Sequence, residues 1–196
     1  AVTDTTDVIS RTYYDALGRP ISHAQNLVGQ AISIPFPPTR ANPPSAENNL
    51  RTDTVYLGNG NVDYVVDEMG AVTDYGYDTS GRLTSVTDPL ALTTIFAYDA
   101  NSNRTAMTDA EEVVTKYEYD PLNRLSAVIE NFSAQPADNE TNVRTEYTYD
   151  ANANRLSILD GNDHATSFTY TDFGLLETET DALGNTTTYG YNAMGN

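Results

Sequence analysis

"YEYDPLNRLSAVIE", residues 117–130, decides how this chain folds. Tyr117 and Tyr119 stand two residues apart, so both side chains leave the same face of an extended strand. Asp120 and Asn123 then supply turn chemistry, since Asp bonds nearby backbone amides and Asn tolerates positive φ. "RLSAVIE" (124–130) reads as a second strand, which makes the phrase a β-hairpin. A lone hairpin is marginal in water, so the phrase needs neighbours. The chain supplies them: "YGYDTSGRL" at 75–83, "FAYDANSNR" at 96–104 and "YTYDANANR" at 147–155.

The second aromatic of each phrase fixes a period. Tyr14, Tyr56, Tyr77, Tyr98, Tyr119, Tyr149, Tyr170 and Tyr191 are separated by 42, 21, 21, 21, 30, 21 and 21 residues. The first gap is two periods of 21, and the gap of 30 is one period plus nine residues. Thr precedes this anchor by four residues in seven of the eight phrases, and an aromatic precedes it by two in six. Arg follows at plus five (Arg19, Arg82, Arg124) or plus six (Arg104, Arg155), an apolar residue stands at plus nine, and an acid closes most units at plus eleven. The expectation is an all-β fold of stacked antiparallel hairpins on a 21-residue period, forming one curved or spiralling sheet crossed by ladders of Tyr, Phe and Thr. The residues between the aromatics (Lys116 and Glu118, Ser167 and Thr169) are small or charged, so the reverse face is expected to be wetted. The arginines are placed to reach an Asp of a neighbouring unit. Only "ISHAQNLVGQAI" (21–32) suggests a helical turn.

Two interruptions divide the chain. Residues 35–44, "PFPPTRANPP", hold five of the nine prolines, which cannot serve in a central strand and read as a surface strap. The first domain is therefore taken as 1–51, degenerate repeats with this strap, and the second as 52–196, the regular array. Within it, 131–141 ("NFSAQPADNET") carries the nine extra residues as a lengthened hairpin loop.

Composition removes several function classes. Ten basic against 28 acidic residues give a formal charge of −18, which disfavours nucleic acid and anionic membrane surfaces as partners. There is no Cys, hence no disulfide or thiol chemistry, and no segment approaches the roughly 20 apolar residues of a membrane-inserted helix. "DANSN" (99–103) and "DANAN" (150–154) begin like calcium loops, but Arg104 and Arg155 stand where such a loop needs Gly; a surface Ca²⁺ is the weak cofactor reading and capped turns the stronger one. His164 has acids beside it but no nucleophile elbow. An acid repeated in every unit is structural rather than catalytic, because catalysis needs one special pair. The serious ligand candidates are the aromatics Tyr75, Tyr77, Phe96, Tyr98, Tyr117, Tyr119, Tyr147, Tyr149, Phe168, Tyr170, Tyr189 and Tyr191. They are either the packing surface of the sheet or a platform for sugar rings.

"YDTSGRLTSVTD" (77–88), "YDPLNRLSAV" (119–128) and "TDALGNTTTYGYNAMGN" (180–196) resemble the YD repeats of bacterial Rhs-type proteins, related to those of teneurins and toxin-complex C components. The resemblance covers 52–196, with an outlying copy at Tyr14–Arg19. It implies a secreted or cell-surface bacterial protein whose sheet forms a shell, and whose partners are the rest of that shell and a C-terminal toxin or effector domain. Glycans are the alternative partner. No "DPxGL"-like core motif follows, so the expectation is a non-enzymatic segment of shell wall. Seven units would give about 14 strands, a sheet roughly 65–70 Å wide, which rolled up would span only about 21 Å. Its two raw edges could pair between molecules.

Overall fold

A computed structural model describes residues 11–25, 50–134 and 141–192. All the regular structure in them is β. The strands are β1 (Arg11–Tyr14), β2 (Pro20–Gln25), β3 (Leu50–Tyr56), β4 (Val62–Val66), β5 (Val72–Tyr77), β6 (Leu83–Thr87), β7 (Thr93–Tyr98) and β8 (Arg104–Thr108). They continue as β9 (Val114–Tyr119), β10 (Leu125–Glu130), β11 (Val143–Tyr149), β12 (Arg155–Leu159), β13 (Ala165–Tyr170), β14 (Leu176–Thr180) and β15 (Thr186–Thr188). Hydrogen bonding follows chain order without a crossover, as one 15-stranded sheet with β1 and β15 at its edges. The chain divides into two compact units, 1–95 and 96–196. The helical turn considered for 21–32 is not found where the chain is described: Pro20–Gln25 pairs on both sides, with β1 and with β3. The rest of that stretch, and the proline-rich 35–44, lie outside the described residues.

One turn design joins the strands at both ends of the sheet. In "DPLNR" (120–124) the Asp120 amide donates to the Arg124 carbonyl at 2.9 Å, and the Asn123 amide to the Asp120 carbonyl at 2.9 Å. Asp120 Oδ1 accepts from the amides of Leu122 and Arg124, both at 2.9 Å. The opposite end repeats this in "DAEEV" (109–113), where Asp109 Oδ1 accepts from Glu111 and Val113 at 2.9 Å. The fourth residue of each turn is left-handed, whether Gly81 (φ 79), Asn123 (φ 61) or Glu112 (φ 65).

The ends differ in register, which explains the odd period. At the turn after each anchor tyrosine the register slips: Tyr119 pairs with Leu125 but Glu118 with Ala127, leaving Ser126 as a bulge. The same slip follows Tyr14, Tyr56, Tyr77, Tyr149 and Tyr170. The turns at the other end carry none. Residues paired across strands share a face, and five-residue turns without a bulge return a given face only after an even number of residues. With a period of 21, equivalent residues of successive units would then face opposite sides. One bulge per unit restores them to the same side.

Register also fixes a stagger. In residues 96–196, Tyr117 lies opposite Val128 and Val128 opposite Thr145; in residues 1–95, Tyr75 lies opposite Val86 and Val86 opposite Thr94. A straight row thus enters at the aromatic two before one anchor and leaves at the threonine four before the next. Each hairpin is displaced by two residues, roughly 7 Å, along its strands.

Burial corrects one expectation. The aromatic face is mostly half-buried, with Phe168 its buried member, while Ser22, Ala24, Asp53, Tyr64, Val66, Ala127 and Ile129 of the reverse face are buried. In residues 96–196 long charged side chains stand beside the buried alanine. Glu118 and Glu146 flank Ala127 in register, and Arg144 bridges them at 2.8 and 2.6 Å. The insertion adds to the same face. Asn142 clasps its start by bonds to Ser133 (2.8 and 3.1 Å) and Asn131 (3.0 Å), and Lys116 Nζ stands 3.4 Å from the ring centre of Phe132. Elsewhere the reverse face pairs hydroxyls, as Thr169 with Thr178 at 2.7 Å. In residues 1–95 it carries the buried ion pair Arg51–Asp53.

Candidate functional site

The aromatic ladder is the candidate site, and its two positions do different work. The anchor tyrosine reaches back to the preceding unit with its hydroxyl. Tyr56 donates to the Pro20 carbonyl (2.8 Å), Tyr119 to Arg104 (3.0 Å), Tyr149 to Leu125 (2.9 Å), Tyr170 to Arg155 (3.0 Å) and Tyr191 to Leu176 (2.8 Å). Every acceptor is the residue six after the previous anchor, beside the bulge, where the ladder is locally broken. These five anchors use a hydroxyl to reach a backbone carbonyl, and among the described residues no ring two residues earlier makes such a bond. All eight anchors are Tyr, while the earlier position takes Phe96 and Phe168 as readily as Tyr117 or Tyr147. Partial burial raises the pKa of the Tyr77 and Tyr119 phenols, so both stay protonated across ordinary pH.

Arginine covers the rings. Arg19 lies 4.5 Å from the ring centre of Tyr56 and Arg124 4.8 Å from that of Tyr149. Both stand five after their own anchor and cover the next one. Arg104 and Arg155, at plus six, cover the earlier ring of the next unit instead: Tyr117 at 4.7 Å and Phe168 at 5.0 Å. The carboxylate partners are not the neighbouring-unit acids that sequence spacing suggested. Arg19, Arg82 and Arg124 each bind the Asp that opens their own turn, at 2.7 Å, because the turn brings first and fifth residues together. Besides covering Tyr149, Arg124 donates to the Asp150 carbonyl of the next unit, at 2.7 Å. Asp15, Asp78 and Asp120 are held below the ordinary carboxylate range, first by the amide of the fifth turn residue and further by its guanidinium.

Asp99 and Asp150, the openings of the calcium-like phrases, have the same turn geometry. Asn103 and Asn154 side chains donate to their second oxygens at 2.9 Å, so both oxygens are engaged. Among the described residues no three His, Cys, Asp or Glu side chains are grouped to hold a metal. His164 sits 3.3 Å from Asp160 in an exposed turn.

The unit that opens at Tyr170 departs from most others, as that of Tyr56 does with Leu57, Asn61 and Val62. Thr171 replaces the opening Asp, and Leu175 and Leu176 stand where Arg would. A cleft of about 540 Å³ opens there, lined by Tyr170, Phe173, Leu175, Glu177, Tyr189 and Tyr191 among others. Tyr189 and Tyr191 are 38% and 39% exposed and Phe173 92%.

An unclosed antiparallel sheet, one bulged hairpin per 21 residues and a tyrosine staple between units define a tandem β-hairpin repeat protein. The RHS Repeat family model matches residues 56–94, 77–112, 98–131 and 170–196, more than half of the chain. The chain belongs to the RHS repeat family. No curated protein matches it. Among solved structures it is similar to TcdB2-TccC3-TEV, with a TM-score of 0.68 and 18% identity over 96% of this chain and 10% of that one. It is similar also to TcdB2-TccC3 without its hypervariable C-terminal region, with a TM-score of 0.66 and 17% identity over 94% of this chain and 11% of that one. The likeness is one of fold, and this chain spans about a tenth of the length of those it matches.

Proposed function

We propose that this array is a non-enzymatic length of shell wall in a larger secreted or surface protein, built to enclose or present an effector domain that follows it. The carrying observation is the inter-unit bond of the anchor tyrosines. Five phenols are spent on the preceding unit, and arginines lie over the rings, so the repeated chemistry serves the sheet itself. Membership of the RHS repeat family supports a wall, and the fold of TcdB2-TccC3, a protein with a hypervariable C-terminal region, supports a variable domain beyond it. Limited proteolysis of the intact parent protein tests this. The domain after the array is expected to resist protease until the sheet is melted, and a domain cleaved equally fast before and after melting would overturn the reading. A carbohydrate platform draws on the same rings; a glycan array in which no sugar binds would remove it.

A further inference from the structure

A second cleft, of about 370 Å³, opens between the turns 150–154 and 171–175, beside a glycine that stands where another turn carries an asparagine. We infer that this cleft binds the carboxamide side chain, Asn or Gln, of a partner polypeptide, through the side-chain amides of Asn152 and Asn154. This stands whether or not the sheet encloses an effector.

Three anchor-end turns carry asparagine at both their third and fifth residues: Asn59 and Asn61, Asn101 and Asn103, Asn152 and Asn154. In two of them the following turn supplies an acceptor. Asn101 and Asn103 both donate to Oδ1 of Asn123, each at 2.9 Å, and Asn61 donates to the Gly81 carbonyl at 3.2 Å. The third turn repeats the second up to that point. Asn103 gives one amide hydrogen to Asp99, and Asn154 likewise gives one to Asp150, both at 2.9 Å. The place of Asn123 is then taken by Gly174. Gly174 has the same left-handed backbone, with φ 76 against 61 for Asn123, and a Cβ on it would meet Asn154 Oδ1 at 3.8 Å, an ordinary contact. A side chain therefore fits there, and none is present. Among the described residues the Asn152 side chain and the second hydrogen of Asn154 Nδ2 have no partner. The vacancy lies inside the sheet: one turn joins β11 to β12, the other joins β13 to β14, and β15 follows.

The chemistry of the guest follows from these donors. Two amides of one turn can share a single carbonyl oxygen, as Asn101 and Asn103 do with Asn123. Asp172 lines the same cleft and can accept the hydrogens of the guest's own amide group, while Leu156 and Tyr170 give its stem apolar contact. Asp150 and Asp172 stand in the lining without a basic side chain, which disfavours a carboxylate. An ammonium has no oxygen to offer the two donors.

Titration of the whole chain with the blocked peptides Gly-Asn-Gly and Gly-Gln-Gly, read by the side-chain amide resonances of Asn152 and Asn154, tests this. Saturable shifts are expected, with Gly-Asp-Gly at neutral pH binding about tenfold more weakly and Gly-Ala-Gly failing to bind. Gly174→Asn should fill the cleft from within, as Asn123 does in its own turn, and weaken both amide peptides about tenfold or more. Gly174→Ala brings no carboxamide and should keep the binding, since Ala153 already holds φ 68 at the same turn position. Asn152→Ala, at an exposed side chain, provides a second reading if Gly174→Asn does not fold, and should weaken binding similarly. The inference is overturned if neither amide peptide moves either resonance at millimolar concentration, if the Asp or Ala peptide binds as tightly as the Asn peptide, or if neither Gly174→Asn nor Asn152→Ala weakens binding.

Discussion

The two ends of the strands use the same five-residue turn, yet among the described residues the tyrosine staples stand at only one of them. At the plain end, "DAEEV" (109–113) closes a hairpin with its Asp109 amide bonds and no bulge. At the anchor end, "DPLNR" (120–124) has the same amide bonds and adds a bulge, an Asp–Arg pair and a guanidinium over the next unit's ring. Turn formation and unit cohesion are therefore separate functions. The nine-residue insertion follows Glu130, at the plain end, where length can change without breaking a staple.

This contrast can be broken in order of effect. Acid should act most broadly. The folded-state pKa values of Asp15, Asp78, Asp120, Asp150, Asp160 and Asp181 lie below the ordinary 3.8. The folded state therefore binds fewer protons than the unfolded, and the stabilisation is present above pH 3.8 and lost as pH falls through the depressed values. Urea midpoints should be flat near neutrality and drop below about pH 4, with a shallower drop in Asp78→Asn. Next, Asp120→Ala removes an arginine contact as well as two amide bonds, so it should lower the midpoint about twice as far as Asp109→Ala; equal losses would erase the distinction between the ends. Tyr149→Phe should cost about 1 kcal/mol by losing its bond to Leu125, whereas Tyr147→Phe should stay within about 0.5 kcal/mol. Smallest is Glu112→Gly at the plain end, where relief of a left-handed side chain should gain about 0.5 kcal/mol in the same melts.

The hairpins, their order and their faces were legible because period-two alternation and turn residues act locally. The bulge was legible in principle: a period of 21 is odd, and odd periods cannot keep Tyr77, Tyr98 and Tyr119 on one face without it. The anchor bond had a signal too, in the refusal of Phe at all eight anchors. Other features had none. Whether Arg82 meets Asp78 or a neighbour's acid depends on turn closure, which spacing alone leaves open. The pairing of Arg144 with Glu118 and Glu146 on either side of Ala127 is a three-strand event invisible in any one of them.

The anchor phenol bonds all point one way, each anchor tyrosine donating to a carbonyl earlier in the chain. Donor and acceptor are 15 residues apart for Tyr119, Tyr170 and Tyr191, and 24 for Tyr149, where the insertion intervenes. During synthesis the acceptor therefore leaves the ribosome first and waits only seconds, at roughly 5–20 residues per second, for its partner. A polypeptide so wired can be laid down course by course behind the advancing ribosome, each new hairpin finding a finished edge to fasten to.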